Sequence, residues 1–149
     1  LTLQRVIAAP PGSLWRAWTE PDRLAQWWLP APAVARVEVL DVRPGGGLVT
    51  SMSAEFVPHM DAVFLVVDRG EQLVFTNAID SSWRPAEPAP VLMTAEVTLL
   101  DHPEGTDYRV VVRHGTSADR DHHEELGFYD GWGSVTDALA RLTEGGPGT

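Results

Sequence analysis

The stretch His123-Glu124-Glu125-Leu126-Gly127-Phe128-Tyr129-Asp130-Gly131-Trp132-Gly133 decides the reading of this chain. It mixes glycines with aromatics and runs into an apolar tail. There Phe128, Trp132, Val135, Leu139 and Leu142 fall at offsets of 0, 4, 7, 11 and 14. That spacing puts all five on one face of a helix. Gly127, Gly131 and Gly133 each weaken such a helix by about 1 kcal/mol relative to alanine. A helix carrying all three needs a packing reason, namely close approach of its backbone to another surface or to a bound molecule. A long final helix with aromatics and glycines on one side predicts a lid over a curved sheet, and that architecture encloses a cavity.

Upstream, the pattern supplies the sheet. Thr2 to Ala9 reads as a first strand, ended by Pro10, Pro11 and Gly12. Ser13 to Trp18 is a short helical turn. Thr19-Glu20-Pro21-Asp22 looks like a second helix start, with Thr19 as the cap, and Pro30 and Pro32 stop that helix. From Val34 the period changes to two. Strands follow around Val37 and Val39, over Leu48 to Phe56, Val63 to Asp68, Leu73 to Ala78, Val91 to Leu99, and Tyr108 to His114. Turns at Pro44 to Gly47, Arg69-Gly70 and Pro103 to Gly105 separate several of them. Asp80 to Pro90 reads as a loop. Helices set against an antiparallel sheet make an α+β fold. The long helix lies across the concave face, with Leu48, Met52, Phe56, Met93, Val97, Tyr108, Val110 and Val112 as its inner surface.

Composition excludes several function classes. The 149 residues are one domain by size, expected to span 1–144, with 145–149 as a disordered tail. The net charge is −10 and all eleven basic residues are arginine. This acidity argues against nucleic acid and against an anionic membrane surface. The absence of lysine excludes Schiff-base chemistry through a lysine side chain. No cysteine is present to form a disulfide or thiolate site. No run is long and apolar enough to insert in a membrane. No basic-then-apolar leader opens the chain, so the cytoplasm is the expected address.

Several segments carry a family resemblance. Leu14-Trp15-Arg16-Ala17-Trp18-Thr19-Glu20-Pro21, after Ala9-Pro10, and Leu24-Ala25-Gln26-Trp27-Trp28-Leu29-Pro30 form one part. Asp41-Val42-Arg43-Pro44-Gly45-Gly46, Glu71-Gln72-Leu73-Val74-Phe75-Thr76, Gly105-Thr106 and Gly131-Trp132 continue it nearly to the end. In these residues and their order the chain resembles the START-like, or SRPBCC, superfamily. Within that superfamily it resembles the family related to the C-terminal domain of the activator of heat shock protein 90 ATPase. The resemblance implies the helix-grip fold and a deep apolar cavity that takes lipids, polyketides or other hydrophobic molecules. It also implies two alternatives: a cyclase, dehydratase or hydrolase acting in the same cavity, and a co-chaperone that stimulates the heat shock protein 90 ATPase. Where relatives often carry a glutamate, this chain has Val66, which weakens the enzyme reading.

The expected apolar wall is Leu48, Met52, Phe56, Phe64, Val66, Met93, Val97, Phe128 and Trp132. Trp28 and Trp83 are further aromatic candidates, Trp83 because it lies in a proline-rich loop. Core packing explains any single one of these aromatics equally well. Tyr129 and His114 are the polar groups expected to orient a ligand. His59 and Asp61 make a candidate acid-base pair in a turn, though such loop pairs are usually solvated. His122 and His123 point about 100° apart on a helix, so they do not share a metal ion unaided. The triplet Gly45-Gly46-Gly47 leads into a strand, which excludes a phosphate loop. The expected partner is a hydrophobic small molecule, with no cofactor and no metal, and an exposed edge strand offers a homodimer contact.

Overall fold

A computed structural model describes residues 1–52, 57–87 and 91–144. The chain runs β1 (Thr2–Ile7), α1 (Pro11–Thr19), α2 (Pro21–Leu24), β2 (Ala35–Leu40), β3 (Gly47–Met52), β4 (Val57–Asp68), β5 (Gln72–Thr76), β6 (Thr94–His102), β7 (Gly105–Arg113), α3 (Ser117–Glu125) and α4 (Phe128–Glu144). All seven strands form one antiparallel sheet in the order β1-β7-β6-β5-β4-β3-β2. This is the α+β helix-grip arrangement. Among the described residues no helix is long and apolar enough to cross a membrane.

Alternation sets the sheet's two faces. Ala95, Val97 and Leu99 on β6, and Thr106, Tyr108, Val110 and Val112 on β7, are all buried, and the residues between them are more open. One half of the sheet departs from strict alternation. The register shifts at Val37/Val39, at Thr50/Ser51 and at Phe64/Val66. An extra residue at each shift bends its strand and raises the local twist. That half therefore bends, and the phase of its side chains changes with it.

Helix α1 and the segment after α2 bring three tryptophans together in the core. Pro11 opens α1, and Pro21 opens α2 after an extended Glu20. Thr19 does not cap the second helix: it ends the first, and its hydroxyl donates to the Trp15 carbonyl at 2.7 Å. Trp18 packs edge-on against Trp27 and Trp28 with centroids 4.8 and 5.4 Å apart, and lies 5.8 Å from Phe75. Each indole N–H finds an acceptor. Trp18 Nε1 donates to Tyr108 Oη at 3.2 Å, Trp27 Nε1 to the Ala17 carbonyl at 3.0 Å, and Trp28 Nε1 to Thr50 Oγ1 at 3.0 Å. Burial alone raises the Tyr108 pKa far above its usual range, so the phenol stays protonated.

The C-terminal helix is not continuous. Gly127 has φ +99° and separates α3 from α4, and its N–H donates to the Glu124 carbonyl at 3.0 Å. A left-handed glycine after the last turn is the ordinary way a helix stops. The five-residue stripe survives because α4 begins at Phe128, and Phe128, Val135 and Leu139 are buried along it. Only Gly131 and Gly133 lie inside α4. A Cβ at either would meet nothing within 4 Å, so neither allows a close protein contact.

Replacing Tyr108 with phenylalanine leaves the buried Trp18 N–H without an acceptor. Tyr108→Phe is expected to lower unfolding free energy by about 1–3 kcal/mol, read from urea denaturation at unchanged m-value.

Candidate functional site

A cavity of about 320 Å³ opens between the first turns of α4 and the bent half of the sheet. Met60 and Met93 line its sheet side, Trp28 comes from the segment after α2, and Phe128, Trp132 and Val135 line its helix side. Leu29, Pro30, Leu126 and Gly127 complete the rim. Gly131 also lines it, and the space a side chain there would take is empty. Its glycine therefore leaves room in the hollow. The volume lies at the small end of the roughly 300–1,000 Å³ usual for small-molecule sites.

Three polar residues reach the wall: His59, Asn77 and His123. Asn77 is committed to the neighbouring chain. Its Nδ2 donates to the Val91 carbonyl at 3.0 Å, and its Oδ1 accepts from the Met93 N–H at 2.8 Å. This clamp holds Val91 and Met93 against the cavity just before β6 begins. His123, on α3, has its Nδ1 2.8 Å from His114 Nε2, and its ring stands edge-on to Phe128 with centroids 5.1 Å apart. Loss of hydration, then the neighbouring His114, brings the His123 pKa down to about 4.

His59 reaches the cavity through an irregularity of β4. Met60 pairs with Thr50 and Pro58 with Ser51, which leaves His59 as the extra residue of a bulge. Two consecutive residues of one strand, His59 and Met60, consequently face the same hollow. A regular strand would send one of them outward. His59 Nδ1 lies 3.1 Å from Thr50 Oγ1, and the ring stands edge-on to Trp28 at 6.3 Å. The residue is exposed overall, but partial burial of the ring disfavours its charged form and lowers its pKa.

The residues named from the sequence divide into groups. Trp28, Met93, Phe128 and Trp132 line the cavity. Leu48, Phe64 and Val97 are buried in the solid core away from it, where Trp18 and Phe75 fill the space. Met52 is exposed at the end of β3. Val66 is 41 % exposed because the shift at Phe64/Val66 turns it off the inner face. Trp83 is 70 % exposed and lies over the Gly45 turn, with Nε1 donating to the Gly45 carbonyl at 2.9 Å. Tyr129 is 47 % exposed, since a 100° step from Phe128 takes it off the buried stripe. His114 lies beyond the end of β7 and reaches the cavity only through His123. His59 and Asp61 lie in β4 and not in a turn, and they do not pair: Asp61 accepts from the Ser81 N–H at 2.7 Å. Phe56 and the tail 145–149 lie outside the described residues.

Sequence reasoning passed over Trp27, Met60, Val91 and Asn77 as cavity residues. No local signal marks them: the β4 bulge lies beside Met60, the Asn77 clamp holds Val91, and Trp27 comes from the segment after α2. His123 and Gly131 stood in the opening stretch, and their shared position on the rim of one hollow is a tertiary fact.

A curved antiparallel sheet closed over an apolar hollow by a C-terminal helix defines a START-like, or SRPBCC, domain. The family model described as "Activator of Hsp90 ATPase homolog 1-like protein" matches residues 8–144, and the chain belongs to that family. Among solved structures, a protein from Nitrosomonas europaea is 35% identical, with a TM-score of 0.84 over 97% of this chain and 94% of that one. A protein from Chromobacterium violaceum is 27% identical, with a TM-score of 0.74 over 97% and 96%. One from Mycobacterium smegmatis, 23% identical, shares the fold with a TM-score of 0.79 over 95% and 88%. No curated protein matches the chain.

The low pKa of His123 gives a signed pH dependence. Between its ordinary 6.5 and about 4 the unfolded chain takes up a proton that the folded chain refuses. Stability from this group is therefore complete above pH 6.5 and is lost as pH falls toward 4. In an NMR titration the His123 ring is expected to remain neutral at about pH 5. His123→Gln should make the acid-side loss of urea stability shallower.

Proposed function

We propose that this protein binds a compact hydrophobic molecule in the cavity beneath α4. The observation that carries the reading is the empty space beside Gly131, walled by Trp28, Met60, Met93, Phe128 and Trp132. Well-packed interiors leave few voids larger than a water molecule. Keeping this one forgoes side-chain contacts along a helix that glycine already weakens by about 0.5–1 kcal/mol. An apolar guest would restore those contacts. Membership of a family whose domains commonly bind hydrophobic ligands supports the same reading. The volume favours a short or ring-shaped guest over a long acyl chain.

A catalytic reading in the same cavity draws on the ionisable side chains on its wall, of which His59 is the one without a histidine partner. Hydrolysis, dehydration or cyclisation would use that imidazole as acid or base. Turnover of a bound guest that His59→Gln abolishes without loss of binding would favour it.

Gly131→Leu tests the binding role with little risk to the fold, because its Cβ meets no neighbour. The variant should be as stable as the wild type, or more stable by about 0.5–1 kcal/mol. It should also bind the neutral fluorescent probe N-phenylnaphthylamine at least about tenfold more weakly. Equal probe affinity in the two proteins would remove the cavity from consideration.

A further inference from the structure

We infer that His59 is a hydrogen-bond donor built into the cavity wall, and that the site selects a neutral, flat guest carrying a carbonyl-type acceptor. This deepens the binding reading above and rests on it. The inference follows from where one hydroxyl hydrogen goes. Thr50 is buried, and its Oγ1 has two polar neighbours among the described residues: Trp28 Nε1 at 3.0 Å and His59 Nδ1 at 3.1 Å. The indole has only a hydrogen to give, so it donates to Oγ1. The Thr50 hydrogen then has one acceptor in reach, His59 Nδ1. If Nδ1 carried a hydrogen instead, the Thr50 hydroxyl would be buried with nothing to donate to, a costly arrangement. Among the described residues no buried side-chain nitrogen or oxygen is left without a partner. The relay Trp28 to Thr50 to His59 thus sets the tautomer and puts the remaining hydrogen of the ring on Nε2.

That Nε2–H has no protein acceptor among the described residues, and the ring it belongs to lines the cavity. His59 is exposed, so without a guest this N–H is open to solvent; a guest that covers it without an acceptor strips away that hydration, and a guest with a carbonyl oxygen replaces it. The charge of the acceptor is restricted as well. Among the described residues no arginine lines the cavity, and the chain carries a net charge of −10, so a carboxylate or phosphate finds no countercharge there. The lowered pKa of His59 agrees with a neutral donor. The shape of the guest follows from the aromatic lining: Trp28, Phe128 and Trp132 border the cavity, and aromatic side chains pack well against a flat apolar body.

Two measurements test the inference on the intact chain. The first uses no ligand: long-range nitrogen-15 NMR of the histidine rings should show His59 with the hydrogen on Nε2 and bare Nδ1. A hydrogen on Nδ1 overturns the proposal. The second compares acetylnaphthalene with its trigonal hydrocarbon counterpart isopropenylnaphthalene by tryptophan fluorescence. The ketone should bind about tenfold tighter, the scale of one buried hydrogen bond, and His59→Phe should erase the difference. Equal affinity of the two for the wild type overturns the donor assignment and leaves the binding reading standing. Failure of both to bind overturns the binding reading and this proposal together. Should His59→Phe not fold, the tautomer and the wild-type ratio still decide.

Discussion

The edge-to-face stack of Trp18, Trp27 and Trp28 in the core is the constraint that the rest of this molecule depends on. Three indoles are hard to bury together, because each brings an N–H that must be satisfied away from water. Their partners are spread over α1, β3 and β7. The bonds therefore tie the short helices to both the straight and the bent parts of the sheet. One indole is used twice. Trp28 helps close the stack on one side, forms cavity wall on the other, and through Thr50 orients the His59 ring.

Solid core and hollow lie side by side under one curved sheet, and side-chain volume divides them. Around Trp18 and Phe75 large rings are buried against one another. Beside α4 the corresponding place is held by Gly131, and the sheet opposite contributes methionines, whose flexible chains adapt to an irregular guest. The far end of α4 is held independently. Arg5 on β1 pairs with Asp137, and the Ala8 N–H donates to Glu144 at 2.8 Å. The helix can thus be fixed at its C-terminal half while its first turns stand off the sheet. The junction at Gly127 separates α3 from that helix, and the His114–His123 bond ties α3 to the end of β7.

Much of the fold could be read from local spacing. The stripe from Phe128 to Leu142 is legible because 3.6 residues per turn is a property of the backbone alone. The inward set Val97, Tyr108, Val110 and Val112 is legible for the same reason at period two. Both were found where alternation is unbroken. Reading failed where a strand carries one residue too many. Val66 was expected inside and is outside, and His59 was expected in a turn and lies on the cavity wall. Each lies at a register shift of β4, and no residue type announces the shift. Tyr129 and Trp83 were misplaced for a different reason, since an aromatic ring is apolar enough for the interior and polar enough for the surface.

What the sequence determined by itself is the order of elements, the family, and which helix face is buried, because these depend on residues near one another in the chain. Whether the buried face closes on a plugged core or on an open hollow depends on volumes summed across β3, β4, the loop at Asn77 and α4. Those segments are distant in sequence, and their distances are set only when the sheet bends. The tautomer of one imidazole belongs to the same class of fact. It follows from a hydroxyl and an indole that folding brings together, and neither neighbour is visible from the histidine's place in the chain.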